Sequence, residues 1–425
     1  MPELYPVNIN ENLVVIAHTL PSLLEGGVCA YQGEKLLHAA FIIEDGILRE
    51  IRPLIPSGEQ DPAPEPGWRS IVLPPRQFLV PAFVDCHLHL ALDGVAGFRT
   101  FTTPPPSHLL LARLRALAAA GVLAIRDGGD QYGTAFNAHH VYADPSLKEP
   151  LPKIVATGPA LFRRGRYGAK LGGEGLDGLG KLESEIKRRK AAGAQQLKVI
   201  LSGLVSLQER GKVGPLQFST EELQTIVRHA AAFELPVMAH ASSDAAVRTA
   251  VRAGVHSVEH GYYLTEESLH EMAAAGVVWV PTIAPLAALT ASLAHDSGDS
   301  PQSSDHAGNQ HAAVLGYAVN QHLIMLDRAR TLGVSVAVGT DGGAPGVSWS
   351  EGYWMELKLL AQAGFAPNEL LTLATVNGAH LLGLSKEQGF ISVGKRPSWL
   401  CLDMDFLAGR IQRNTLKGIF FPCRD

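Results

Sequence analysis

STEELQTIVRHAAAFELPVMAH, residues 219–240, decides the reading of the fold. It opens with Ser219 or Thr220 as a helix N-cap and places Glu221 and Glu222 in the first turn, where acids suit the helix dipole. The helical run then gives way to LPVMAH, a short apolar strand candidate. A helix feeding a strand in this manner is one unit of a βα alternation, and the alternation extends over residues 77–384. Its strand candidates are FLVPAFVD, GVLAIRD, PKIVATG, QLKVILSG, LPVMAH, HSVEH, VVWVPT and VSVAVGTD. Eight strands with intervening helices such as SHLLLARLRALAAAG predict an α/β fold, a (β/α)8 TIM barrel.

The ends of the chain read differently. Residues 13–18, 37–43 and 47–51 are strand candidates, with Asp45-Gly46 as a two-residue hairpin turn between the last two. The Pro-rich residues 57–67 mark a surface loop. After residue 384 the strand-like pieces GFISV, WLCLD and GIFFP return. We expect residues 1–76 and 385–425 to build one small β-sandwich domain from both chain ends.

A length of 425 residues accommodates a barrel with such an appendage. The net charge of -5 comes from interspersed acids and bases, so no electrostatic footprint for nucleic acid or an anionic membrane is present. Cys29, Cys86, Cys401 and Cys423 are far apart and suggest neither a disulfide framework nor a thiolate metal site. No secretory leader or apolar run of membrane-spanning length is evident, so a cytoplasmic location is expected. The expected partner is a small-molecule substrate, with a homo-oligomer left open.

In FVDCHLH, residues 83–89, His87 and His89 are two apart, which places both imidazoles on one face of a strand. Seventeen histidines in 425 residues make an isolated H-x-H uninformative. The pair gains meaning from Lys198 in QLKVILSG, His240 in LPVMAH, His260 in SVEHG and Asp341 in AVGTDGG, each at or near the end of a different strand candidate. The C-terminal ends of barrel strands converge on one face, where active sites are built, so these six residues should meet. Asp85 reads as a structural hydrogen-bond acceptor, and Cys86 should point away from the histidines by strand alternation.

HLH, RDGG, LKVILSG, VMAHA, SVEHG and GTDG, in that order, resemble the amidohydrolase superfamily. The fit is to its lysine-bearing binuclear branch, near the Xaa-Pro and Xaa-Arg dipeptidases and imidazolonepropionase-like proteins. HASSDAAVRTAVRAGVHSVEHGYYLTEE and LLTLATVNGAHLLGL are similar to that branch as well, so the likeness covers nearly the whole chain. The resemblance implies that His87 and His89 hold one divalent metal, His240 and His260 a second, that Lys198 bridges both as a carbamate formed with CO2, and that Asp341 ligates the first. Imidazole and oxygen donors without thiolate suit Zn2+, with Mn2+, Fe2+ or Co2+ as alternatives. A protonated lysine has no lone pair, whereas its carbamate is an anionic oxygen donor, so the chemistry agrees with the family role. The resemblance implies hydrolysis of an amide by a hydroxide bridging the metals, with Asp341 as proton acceptor and donor, and Arg126 and Asp127 organising the barrel.

The expected substrate is a dipeptide or N-acyl amino acid. Where this branch commonly carries Gly-Gly-His after its third strand, the chain has RRGRYGAKLGG, with Tyr167 in the place of the histidine. Arg163, Arg164, Arg166 and Lys170 cluster there, so Arg166 is the expected partner of a substrate carboxylate, with Tyr167 and Tyr132 as hydroxyl donors. Competing readings are a cyclic amidohydrolase or amidine deaminase of the same fold, and a non-catalytic metal-binding relative. Lys198 argues against the deaminase, and the full set of six argues against the non-catalytic relative.

Overall fold

The helix anticipated after Ser219 spans Thr220–Ala232, and it begins with a complete capping box. The Ser219 hydroxyl accepts from the Glu222 N–H at 3.2 Å, and the Glu222 carboxylate accepts from the Ser219 N–H at 2.9 Å. Two of the four orphan N–H groups at the helix start are thereby satisfied. Leu223, Ile226 and Ala230, spaced at three and four residues, are buried on one face. The chain then enters the strand Val237–Ser243. The structure, a computed structural model, describes residues 5–9, 12–17, 39–53, 66–74, 76–94, 99–100, 103–144, 146–296 and 306–421.

Two parallel sheets form the central layer. One has the order Lys153–Ala156, Val122–Asp127, Phe83–Leu88, and the other Leu197–Ile200, Val237–Ser243, Ser257–Tyr263, Val278–Val280. Between them, the Gln195 N–H donates to the Ala156 carbonyl at 2.9 Å, and Leu161 forms a parallel bridge with Val199. Helices such as Ser107–Ala119, Asp244–Ala253 and Glu266–Ala275 connect the strands, and their apolar residues join one large cluster with the strand side chains. Among the described residues, no helix is long and apolar enough to cross a membrane.

The eighth strand candidate, residues 334–341, is not a strand. It meets its neighbours through single bridges, Val336 with Trp279 and Gly342 with Leu88, and through the Cys86 N–H donating to Val338 at 2.8 Å. Asp85, distant in sequence, competes for the backbone here: it accepts from the Thr340 N–H at 3.1 Å, shared with the His87 carbonyl at 3.0 Å, and from the Thr340 hydroxyl at 2.6 Å, while Asp341 turns the chain into the left-handed region at φ 53°.

Two further four-stranded sheets lie at the chain ends. Tyr5–Asn8, Leu416–Phe421, Trp399–Asp403 and Gln77–Pro81 form one, so strands from both ends pair together. Ile47–Pro53, Ala39–Glu44, Leu13–Ala17 and Arg69–Val72 form the other. Both contribute to one apolar cluster, in which Phe41 and Trp399 meet edge to face at 5.4 Å. Asp45 and Gly46 make the expected hairpin turn, both with positive φ, which suits the twist of the strands they join.

Two strand assignments need correction. FLVPAFVD is not one strand: Gln77–Pro81 pairs with Trp399–Asp403, while Phe83–Leu88 pairs with Val122–Asp127. GFISV is not a strand, because Gly389 takes φ 87° and packs against Ala379. His18, Leu37, Cys29, Cys423 and most of the Pro-rich stretch lie outside the described residues.

Candidate metal centre

Parallel pairing sets the heights of the site residues. Ile200 is in register with His240, and Ala241 with His260, so the ends of the strands carrying Lys198, His240 and His260 lie side by side. His87 and His89 come from the end of Phe83–Leu88 and the residue after it. Glycines let the next loops close in. A Cβ at Gly128 would lie 2.7 Å from His89 Cε1, and one at Gly339 would lie 3.0 Å from the Cβ of His87. Gly129, at φ 85°, passes so near Gly158 that a Cβ would sit 1.9 Å from its carbonyl oxygen.

All six residues singled out in the sequence come together. The ligand atoms of His87, His89 and Asp341 lie within 4.8 Å of one another, with Asp341 Oδ1 3.4 Å from His89 Nε2 and 3.7 Å from His87 Nε2. Lys198 Nζ is 3.4 Å from His87 Nε2. The His260 ring centroid is 5.0 Å from that of His87 and 4.4 Å from that of His240. Lys198 and the four histidines are buried.

The hydrogen bonds around the rings fix what they can offer. His89 Nδ1 is 2.8 Å from the Gly129 carbonyl, which can only accept, so Nδ1 carries the hydrogen and Nε2 keeps its lone pair. His87 Nδ1 stands in the same relation to the Glu259 carboxylate at 2.7 Å. His260 Nδ1 meets the Thr282 hydroxyl at 2.7 Å, and His240 Nε2 lies 3.4 Å from the Gly203 carbonyl. Burial, reinforced by Lys198, pushes His89 and His240 down to about 3, and burial takes His87 and His260 well below the ordinary imidazole range. Neutral imidazoles with free lone pairs, two of them converging with a carboxylate, are the donor set of a divalent cation. The residues therefore fit a metal.

The two charged members are also displaced from their usual behaviour. Burial pulls Lys198 down to about 8 and pushes Asp341 up to about 6, the latter opposed by Lys198 itself. Backbone strain collects at the same place: His260 at φ 70°, Thr282 at 49° and Asp341 at 53° are three of the six non-glycine residues with positive φ among the described residues. Such conformations cost on the order of 1–3 kcal/mol each and persist only where their surroundings over-determine them. Here the Asp341 N–H donates to the His87 carbonyl at 2.6 Å, and the Trp279 indole N–H donates to the His260 carbonyl at 2.8 Å.

Asp127 ties the first two loops together, accepting from the Leu90 N–H at 2.8 Å and the Gly129 N–H at 2.9 Å. Cys86 packs with Val84 and Ala379, away from the histidines. Of the three expected substrate contacts, Tyr167 lies against the cluster, its ring centroid 5.5 Å from that of His240 and its side chain partly exposed. Arg166 is exposed in the same loop. Tyr132 is half-buried in the turn after Val122–Asp127, where its N–H donates to Asp130 at 2.8 Å. Arg163 is committed elsewhere, to the Gln217 carbonyl at 2.8 Å and to Glu222 at 2.6 Å.

Glu259 is the residue that sequence reasoning left without a role. Its one signal is a carboxylate inside the buried strand Ser257–Tyr263, where unpaired burial is costly. Arg126 supplies the compensation, donating to both carboxylate oxygens at 2.8 and 2.9 Å.

The amidohydrolase family profile matches residues 78–420. The ochratoxinase of Aspergillus niger is 26% identical over 416 residues, which cover 90% of this chain and 81% of that protein. Among solved structures, a Xaa-Pro dipeptidase with methionine bound in its active site superposes with a TM-score of 0.72 at 19% identity, covering 95% of this chain and 97% of the other. The A. niger ochratoxinase structure gives 0.68 at 22% identity, with 96% and 94% covered.

Proposed function

The chain belongs to the amidohydrolase family and is a hydrolase; from that premise we propose that it is a metal-dependent enzyme cleaving the amide bond of a dipeptide or an N-acyl amino acid. The observation that carries this reading is the convergence of His87, His89, Lys198, His240, His260 and Asp341, drawn from five separate segments of the chain into one largely buried cluster. We read the two parallel sheets and the bridging segment 334–341 as one closed (β/α)8 barrel spanning residues 77–384, and the two end sheets as the β-sandwich domain of residues 1–76 and 385–425.

His87, His89 and Asp341 would hold one divalent metal, His240 and His260 a second, and Lys198, as its carbamate, would serve both. Zn2+ suits this donor set best, and the metals would supply Lewis acidity toward the scissile carbonyl and a more acidic water. The remaining work falls to the chain. Asp341 takes the proton of the attacking water and returns it to the leaving nitrogen, a task favoured by a carboxyl pushed up to about 6. Tyr167, beside His240, donates its hydroxyl to the substrate. Arg166, free of the ion pair that occupies Arg163, receives the substrate carboxylate through its bidentate fork.

Turnover of a panel of dipeptides and N-acyl amino acids tests this directly. Amidating the free carboxylate should raise KM by about 10-fold or more, the loss of one charge-assisted pair, and Arg166→Met should erase the difference. Equal cleavage of free and amidated substrates, or reaction of uncharged cyclic amides alone, would overturn the substrate assignment.

A further inference from the structure

Arg126 and Glu259 are both fully buried, and they join the two parallel sheets at the level of the histidines. Every nitrogen of the guanidinium is engaged: Nε donates to the Cys86 carbonyl at 2.6 Å, Nη1 to Gln196 and Ser257 at 3.0 Å each, and Nη2 to both oxygens of Glu259. The Ser257 hydroxyl donates to Glu259 Oε1, which leaves Oε2 shared between Arg126 and His87 Nδ1. A buried ion pair is weak evidence for stability, since apolar residues of similar volume often serve as well. Its retention beneath a metal-ligating histidine calls for another reason.

We infer that Glu259, held in place by Arg126, is a positioning residue that keeps His87 in the tautomer and orientation able to bind metal through Nε2. The inference rests on the metal-centre reading above. A carboxylate only accepts, so opposite Glu259 the hydrogen of His87 must sit on Nδ1, and the lone pair of Nε2 faces Lys198 and Asp341. His89 receives the same instruction from a backbone carbonyl that no substitution removes. His87 depends on a side chain 172 positions away. It also neighbours a ring from each proposed metal pair, with its centroid 5.4 Å from that of His89 and 5.0 Å from that of His260. An imidazole that turned or changed tautomer there would disturb both halves of the site.

Glu259→Gln is the decisive substitution because it preserves shape. With the amide oxygen facing Arg126 and Ser257, its NH2 group faces His87 Nδ1 and drives the hydrogen onto Nε2. Zn2+ affinity of the apo-protein, measured by competition with a chromogenic chelator, should fall about 10–100-fold, and the visible spectrum of the Co2+-loaded protein should change. Glu259→Asp keeps the charge for Arg126 while withdrawing the oxygen from His87, and it should weaken Zn2+ binding in the same direction if the glutamine variant does not fold. Wild-type Zn2+ affinity in either folded variant, with only the thermal stability of the apo-protein lowered, would make the pair purely structural and overturn the inference while leaving the metal centre intact. Failure of the wild-type protein itself to bind Zn2+ would overturn both.

Discussion

Asp341→Asn is expected to lower kcat by about 100- to 10,000-fold, the range that a positioned proton-transfer group contributes. The substituted amide has nearly the shape of the carboxylate but cannot accept a proton from water. The backbone should tolerate it, because asparagine enters the left-handed region about as readily as aspartate, and Asp341 sits at φ 53°. The N–H bond from residue 341 to the His87 carbonyl is unaffected by the change of side chain. Circular dichroism and the thermal midpoint should therefore remain close to wild type while turnover collapses. An unchanged kcat on a cleaved dipeptide would remove Asp341 from proton transfer.

Lys198→Ala should have an effect of comparable size through a different route. An ammonium buried beside the imidazoles would repel a cation, whereas the carbamate proposed above would bind one. Burial pulls Lys198 down to about 8, which gives a share of neutral amine near neutral pH, the form that adds CO2 to become a carbamate. The alanine variant should lose more than about 100-fold in metal affinity, since losing an outer contact to a ligand alone costs up to that much. Turnover should fall with it. Bicarbonate should speed reconstitution of the wild-type apo-protein and leave the variant unaffected. Wild-type metal content and activity in Lys198→Ala would contradict the bridging role.

Much of this arrangement was legible in the sequence because strand alternation is a local signal. Seven of the eight strand candidates in residues 77–384 have a counterpart among the seven parallel strands. The features that escaped depend on distant partners. Nothing near residue 340 reveals that Asp85, 255 positions earlier, will share the Thr340 N–H and accept from its hydroxyl. Gln77–Pro81 looked continuous with Phe83–Leu88 because both are apolar, yet its partner is Trp399–Asp403. Arg163 looked like a free cation beside Arg166 until the fold brought Glu222 to 2.6 Å. The six clustered residues were accessible because each is a ligand-type side chain within one of the ordered motifs, whereas Glu259, next to His260 in SVEHG, acquires meaning only from His87 and Arg126.

The measurement that bears most directly on the metal-dependent reading is elemental analysis of the purified wild-type protein beside Lys198→Ala, with turnover followed through chelation and reloading. Close to two divalent metals per chain in the wild type, fewer in the variant, and activity that disappears with chelator and returns with Zn2+ is the predicted result. A wild-type content near one that Lys198→Ala leaves unchanged would contradict the two-metal centre, and full activity in metal-free protein would contradict metal dependence altogether.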